Sequence, residues 1–228
     1  MWQAVRDELA PFGFEIVTVA LDTGGVAAAG PWVERANATH PSLIDIAHTL
    51  DEVYGIVNVP SGVWIDERGS ILRPPETAYP RRPGFLDRDV RADDPPHVRE
   101  RVLAVKNLRI DADSYMHALR DWVQHGANSR YALSPDEVVR RSRGRTRDDA
   151  EAAAHFEVAQ YLYLRGDTDA AVEHFRQAHR LQPDNWTYKR QAWSFADPTQ
   201  GPTLLYDGDW LSDVQKIGAE NYYPALDM

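Results

Sequence analysis

The nine residues 14–22, FEIVTVALD, constrain this chain most. Apolar, largely β-branched side chains run on without the alternation of a half-exposed strand. That is the pattern of a strand buried on both faces, as in a parallel sheet, and it points to an α/β fold. The flanking segments read accordingly. Residues 1–9 form a helix with Trp2, Val5 and Leu9 on one face, ended by Pro11 and Gly13. Residues 26–38 form a helix interrupted or restarted at Gly30 and Pro31. Residues 40–45 are a short extended piece, and residues 46–56 a helix ending at Gly55. Residues 59–76, VPSGVWIDERGSILRPPE, read as a hairpin with strands at 62–66 and 70–73 around a turn at 67–69.

The second half is helical. Residues 74–96 are rich in proline and charge and read as a linker or a solvated excursion. A helix begins near residue 98. Residues 111–126 form another, with Tyr115, Leu119, Trp122 and Val123 on one face. Ser134, Pro135 and Glu137 sit at N-cap, N1 and N3 of the next, which is the sequence of a capping box. Residues 152–185 have the 34-residue length of a tetratricopeptide repeat. Aligned on the closing Pro183, they place Ala171, Phe175 and Ala178 on the small, aromatic and small positions of the second helix. Val158, Ala159 and Leu162 fall on the first helix. His155 stands at the tryptophan position, and Ala159 replaces a glycine. Residues 186–195 follow as a capping helix. One repeat cannot bury its own apolar face, so it is expected to pack on neighbours such as the helix at 114–125. Groove-type peptide binding takes about three repeats, so a structural role is expected. The expected division is a domain at 1–76, a linker at 77–97 and a helical region at 98–228.

Composition excludes several functions. The formal net charge is −10, and no basic face with interleaved aromatics is visible, which argues against nucleic acid. The arginine-rich residues 140–147 read as a solvated linker between helices. No apolar run reaches the roughly 18 residues that span a bilayer, and no signal peptide is visible, so a cytoplasmic location is the default expectation. There is no cysteine, hence no disulfide framework and no thiolate metal site. The eight histidines form no His-x-x-x-His pattern and no His/carboxylate pair on one helical face. His174 and His179 point away from each other. No metal ligands and no cofactor are assigned. The glycines after Thr23 follow a strand but lack the spacing and lysine of a phosphate loop, and read as a turn. Asp207 and Asp209 in YDGDW suit either a cation or, more often, a turn.

The N-terminal third resembles the thioredoxin-like redoxins, namely thiol-disulfide oxidoreductases of the ResA/TlpA type and the related AhpC/TSA peroxidases. GFEIVTVALD resembles their second parallel strand. YGIVNVPSGVWIDERGSILR resembles their sequence of glycine, X-Pro, strand, Asp-x-x-Gly turn and strand. The resemblance covers about residues 1–76. It implies a cis Val59-Pro60 peptide facing the redox centre, with the amide and carbonyl of Val59 free to pair with an extended substrate. It also implies a strand and redox turn ahead of the first helix, and neither is present in this sequence. That strand lies centrally, between the partners that residues 14–22 and 62–66 provide. Without it two strand edges are unpaired.

Two functions follow as expectations. The first is a thiol or selenol oxidoreductase or peroxidase of the redoxin type, represented without its redox centre and inactive as written, with a protein or thiol as redox partner. Some members of the resembled group carry a Trp-Ala-x-x-Sec-Gly-Cys type motif just before the first helix. The resemblance therefore implies such a motif encoded upstream of Met1, with selenocysteine read as a stop. The second is a redox-dead module for protein interaction. In either, Val59 and Pro60 are the substrate-adjacent residues, and no catalytic residue lies in the chain.

Overall fold

The computed structural model describes residues 1–197 and 203–228. It is a mixed α/β molecule, with two small sheets and a large helical part. Ten α-helices and four strands occur among the described residues.

The first half alternates as its sequence pattern requires. Helix α1 (Trp2–Leu9) buries Val5 and Leu9 and is closed by Gly13 at φ +84°. Strand β1 (Thr18–Leu21) pairs in parallel with β2 (Ser42–Asp45), in register from Thr18 opposite Ser42 to Leu21 opposite Asp45. Helix α2 (Gly25–Ala36) forms the crossover. It runs through Gly30 and Pro31 without a break. Pro31 lacks one N–H donor, towards Ala27, and the remaining ladder spans the gap on a largely exposed helix. Helix α3 (Thr49–Tyr54) ends at Gly55, as expected, with φ +70°.

Strand β1 is shorter and wetter than its sequence promised. Only four of the nine residues pair, every one is half-buried, and Val17 is exposed. The reason is its neighbourhood: β1 has a strand on one side only. The second sheet is separate. Strand β3 (Ser61–Ile65) pairs antiparallel with β4 (Ile71–Thr77) around the turn at Asp66–Gly69. Strand β4 extends through Pro74 and Pro75, four residues beyond the expected end. One residue of β3, Val63, faces both prolines between the Gly62–Glu76 and Trp64–Arg73 pairs. That bulge on an edge strand is where proline is tolerated. Gly62 is required for another reason: a Cβ there would lie 2.6 Å from Tyr115 Oη.

Beyond β4, the segment expected to be a linker is anchored. Ala78, Tyr79 and Leu86 are buried. Helix α4 (Pro96–Lys106) follows, then α5 (Ala112–His125), capped by Asp111, and α6 (Pro135–Arg141). Ser134 caps α6 as expected. Only one arm of that capping box forms, because Glu137 turns to Arg140 and Arg141. The linker after α6 is thus shorter than the arginine run, and its Arg143 and Arg145 pair with Asp184 and Glu52.

Helix α7 (Arg147–Leu164) starts at a full capping box, Thr146 with Asp149. Helix α8 (Thr168–Leu181) is capped by Asp167, and α9 (Trp186–Ala196) by Asn185. Helix α10 (Trp210–Ile217) is capped by Asp209. Ala152, Ala159, Ala171 and Ala178 are almost fully buried between α7 and α8, so the two backbones approach closely while Phe156 and Phe175 fill the space.

Two cores result. One joins α1, β3 and α5 through Val5, Leu9, Trp64, Tyr115 and Leu119. The other joins α7, α8, α9 and α10 with Tyr79 and the C-terminal Tyr222 and Tyr223. This corrects the expected neighbour of the hairpin. Phe156, Phe175 and Ala178 are buried as expected, and Leu162 partly so, but against α9 and α10. Trp122 stacks instead on Trp64 at 4.9 Å. Of α5, Ala112 alone reaches the helical core. Packing therefore does not divide the chain at residue 97: α5 belongs with the first half.

Candidate functional site

The Val59-Pro60 peptide is cis. Its loop is stitched into the helical half by hydrogen bonds that short-range sequence reasoning does not reveal. The amides of Trp186 and Thr187, at the start of α9, donate to Val57 O at 2.6 and 3.3 Å. Asn58 Nδ2 donates to Tyr222 O at 3.0 Å. Both backbone groups of Val59 are engaged: its N–H donates to Asn58 Oδ1 at 2.9 Å, and its carbonyl accepts from Tyr223 Oη at 3.2 Å. This corrects the expectation that they stand free for an extended substrate. Tyr223 lies 164 residues away in sequence, so no local pattern could announce it.

Tyr223 Oη also meets Tyr79 Oη at 2.9 Å. Burial raises the pKa of both phenols, so they stay protonated. Beside them opens a cavity of about 530 Å³ that reaches Val59 and Pro60. Its walls are aromatic and aliphatic, from Tyr79, Phe85, Trp210, Tyr222 and Tyr223, and three arginines face it: Arg88, Arg101 and Arg190. Arg101 lies over the Trp210 ring at 5.2 Å, and Arg190 Nη1 donates to Tyr222 Oη at 3.4 Å. Arg88 pairs with Asp94 at 2.7 Å. Burial, then the charge of Arg190, lowers the pKa of Arg101.

A second polar cluster lies buried where the two halves meet. His48, in a left-handed conformation (φ +57°), presents Nδ1 to Asp51 Oδ2 at 3.0 Å and Nε2 to Gln191 Oε1 at 3.1 Å. Gln191 Oε1 also accepts from Thr23 N–H at 2.9 Å, and Gln160 Nε2 donates to Thr23 Oγ1 and to Ile46 O. This is a His/carboxylate pair three residues apart that the sequence reading missed. The signal, His48 and Asp51 at i, i+3, was present, but its burial was not visible. Both His48 nitrogens face acceptors, so the imidazolium fits. Burial alone would depress the His48 pKa; the hydrogen bond and charge of Asp51 outweigh it and raise the value. The pair's contribution to stability is therefore full below the unfolded value of about 6.5 and is lost as pH rises through the higher folded value. We expect the gap in urea midpoint between the wild type and Asp51→Asn to narrow from pH 6 to pH 8. A gap that widens with pH would refute the charged pair.

The remaining candidates are simpler. Thr23 and Gly24 turn into α2, as expected, and Thr23 serves the buried network. Asp209 caps α10, and Asp207 borders a cavity of about 340 Å³ beside His179, Lys189 and Trp193. Burial, then the charge of Lys189, pushes His179 down to about 3, so it is a neutral side chain. His174 does not approach His179 as a ligand; its Nδ1 meets His155 Nδ1 at 2.8 Å across α7 and α8. Among the described residues, no three His, Asp or Glu side chains converge to hold a metal, and no helix is long and apolar enough to cross a membrane.

A family description matches one segment: residues 152–185 are similar to the tetratricopeptide repeat. That segment is the α7–α8 hairpin, at the bounds its sequence suggested. No curated protein matches the chain, and no solved structure does.

Proposed function

We propose that residues 1–76 belong to a redoxin-like unit of thioredoxin type on which α5 packs, and that the α7–α8 hairpin with α9 and α10 is a helical buttress clamped to it. The function proposed is that of a thiol or selenol oxidoreductase or peroxidase whose redox group is not among these residues. One observation carries the reading: β1 and β3 each have a strand neighbour on one side only, in two separate sheets, with the cis Val59-Pro60 peptide leading into β3. A strand placed between β1 and β3 would join them into one sheet, and the turn after such a strand would lead into α1, at whose N-terminus a thiol or selenol has a lowered pKa. With no cysteine, the chain by itself has no group to attack a disulfide or a peroxide.

The test is gain of function. The chain as it stands should show no thiol-dependent insulin reduction or peroxide turnover. A chain extended ahead of Trp2 by a β-strand and a Cys-x-x-Cys turn should reduce insulin and unfold at higher temperature. An extended chain that is no more stable and remains inactive would refute the proposal.

A second reading is favoured by the bonds at Val59. With both its backbone groups engaged by Asn58 and Tyr223, the loop works as an anchor for the helices, and the protein is a redox-dead module for protein interaction. Tetratricopeptide repeats in general bind proteins, usually as arrays. Failure of the extended chain would leave this reading in place.

A further inference from the structure

We propose that His155 and His174 form a site for a divalent transition metal on the α7–α8 hairpin. Both Nδ1 atoms are the ligands, water fills the remaining positions, and Cu²⁺ is the preferred ion. This goes beyond the redoxin reading and does not depend on it.

The two rings come from different helices and lie 19 residues apart, yet Nδ1 faces Nδ1 at 2.8 Å, with the ring centroids 5.0 Å apart. The packing of the hairpin holds them there. Ala152, Ala159, Ala171 and Ala178 are buried and let α7 and α8 approach closely. At the next position of each helix, Phe156 meets Phe175 edge to face at 5.6 Å. That layer fixes the rotation of both helices, and a site built on helices is held more closely than one on loops. Both histidines are half-buried, so the hairpin positions the rings and solvent still reaches them.

The separation selects the chemistry. Two imidazole nitrogens bound to one metal at about 2.0–2.1 Å stand about 2.9 Å apart at right angles and about 3.3 Å apart in a tetrahedron. The observed spacing is that of neighbouring positions in a square-planar or tetragonal shell, the geometry of Cu²⁺ and Ni²⁺ with nitrogen and oxygen ligands. Of these, Cu²⁺ leads the affinity order of the divalent first-row ions. Without a metal, one ring donates its Nδ1–H and the other accepts. A metal needs both lone pairs, so the donor ring must carry its proton on Nε2 instead. Neither Nε2 is buried without a partner, and this tautomeric shift leaves both rings neutral and releases no net proton. The rings must also turn to aim both lone pairs at one point, which the broad χ2 torsion of histidine permits. Among the described residues no group of three His, Asp or Glu converges there, so the site is open and its ion exchangeable, unlike a closed structural zinc site.

The experiment is calorimetric titration of the untagged full chain with Cu²⁺, with Mg²⁺ as the oxygen-seeking control, and the electron paramagnetic resonance spectrum of the Cu²⁺ complex. One saturable Cu²⁺ site is expected and none for Mg²⁺, with two equatorial nitrogens in the spectrum. His155→Gln and His174→Gln should each weaken binding at least tenfold and reduce the spectrum to one nitrogen. His97→Gln, at an exposed position on α4, should leave the affinity unchanged. The nitrogen count of the wild type serves should a hairpin variant fail to fold. No saturable Cu²⁺ binding up to millimolar concentration would overturn the proposal. So would fewer than two nitrogens in the wild-type spectrum, an affinity unchanged in the folded hairpin variants, or an equal loss in His97→Gln.

Discussion

Replacing Phe156 by alanine is expected to lower the unfolding free energy by about 3–5 kcal/mol, the range for emptying a well-packed aromatic site. Phe156 is 2% exposed. Its ring stacks on Tyr188 of α9 at 4.0 Å, meets Phe175 of α8 edge to face at 5.6 Å, and meets His48 at 5.0 Å. One side chain of α7 therefore touches the other helix of the hairpin, the helix after it, and the buried polar cluster of the first half. The cavity left by alanine would be lined by rings that cannot collapse into it. Chemical denaturation followed by tryptophan fluorescence measures the effect. Phe156→Leu, which keeps most of the volume, should lose much less. A loss under 1 kcal/mol for the alanine variant would mean that the hairpin does not bear on α9 in the way described.

The second large effect is expected at Arg73. Its guanidinium is 2% exposed. It forms a two-pronged pair with Glu76 at 2.6 and 3.0 Å, donates to Tyr131 O at 3.0 Å and to Asp227 O at 2.7 Å, and lies 5.5 Å from the centre of the Trp64 ring. It ties β4 to the segment before α6 and to the C-terminal residues. Arg73→Met would leave the Glu76 carboxylate largely buried and two backbone carbonyls without their donor. A loss of about 3–5 kcal/mol is expected. The double variant Arg73→Met/Glu76→Gln should recover part of it, since the unpaired charge is then gone. A double variant no more stable than the single one would place the cost in the carbonyls rather than the carboxylate.

Much of the local structure was legible because its causes are local. Pro11 and Gly13 stop α1, Gly55 stops α3, and Ser134 starts α6 through bonds that span three or four residues. The repeat hairpin was legible for the same reason. Its alanines and phenylalanines recur at helical spacing, and the turn between the helices is short. The cis peptide at Val59 followed from a resemblance rather than from the residues alone.

What the sequence could not reveal depends on which elements meet. The run at residues 14–22 looked like a doubly buried strand, but burial is decided by neighbours, and β1 has a strand on one side only. The helix at residues 112–125 has an apolar face that would suit either core; the stack of Trp122 on Trp64 assigns it to the first. His48 and Asp51 lie three residues apart in plain view, yet a His/Asp spacing on a helix start is ordinary until α9 brings Gln191 against it. Most of the candidate site is of this kind. Val59 receives its partner from Tyr223, and Arg101 and Arg190 line one cavity only because α4 and α9 both border the proline loop. Helix starts and stops follow from the residues alone, because capping and turn bonds close within a few residues. Which faces pair and which polar groups are buried together is set by packing, because those contacts join residues from tens to well over a hundred positions apart and leave no periodic trace in the chain.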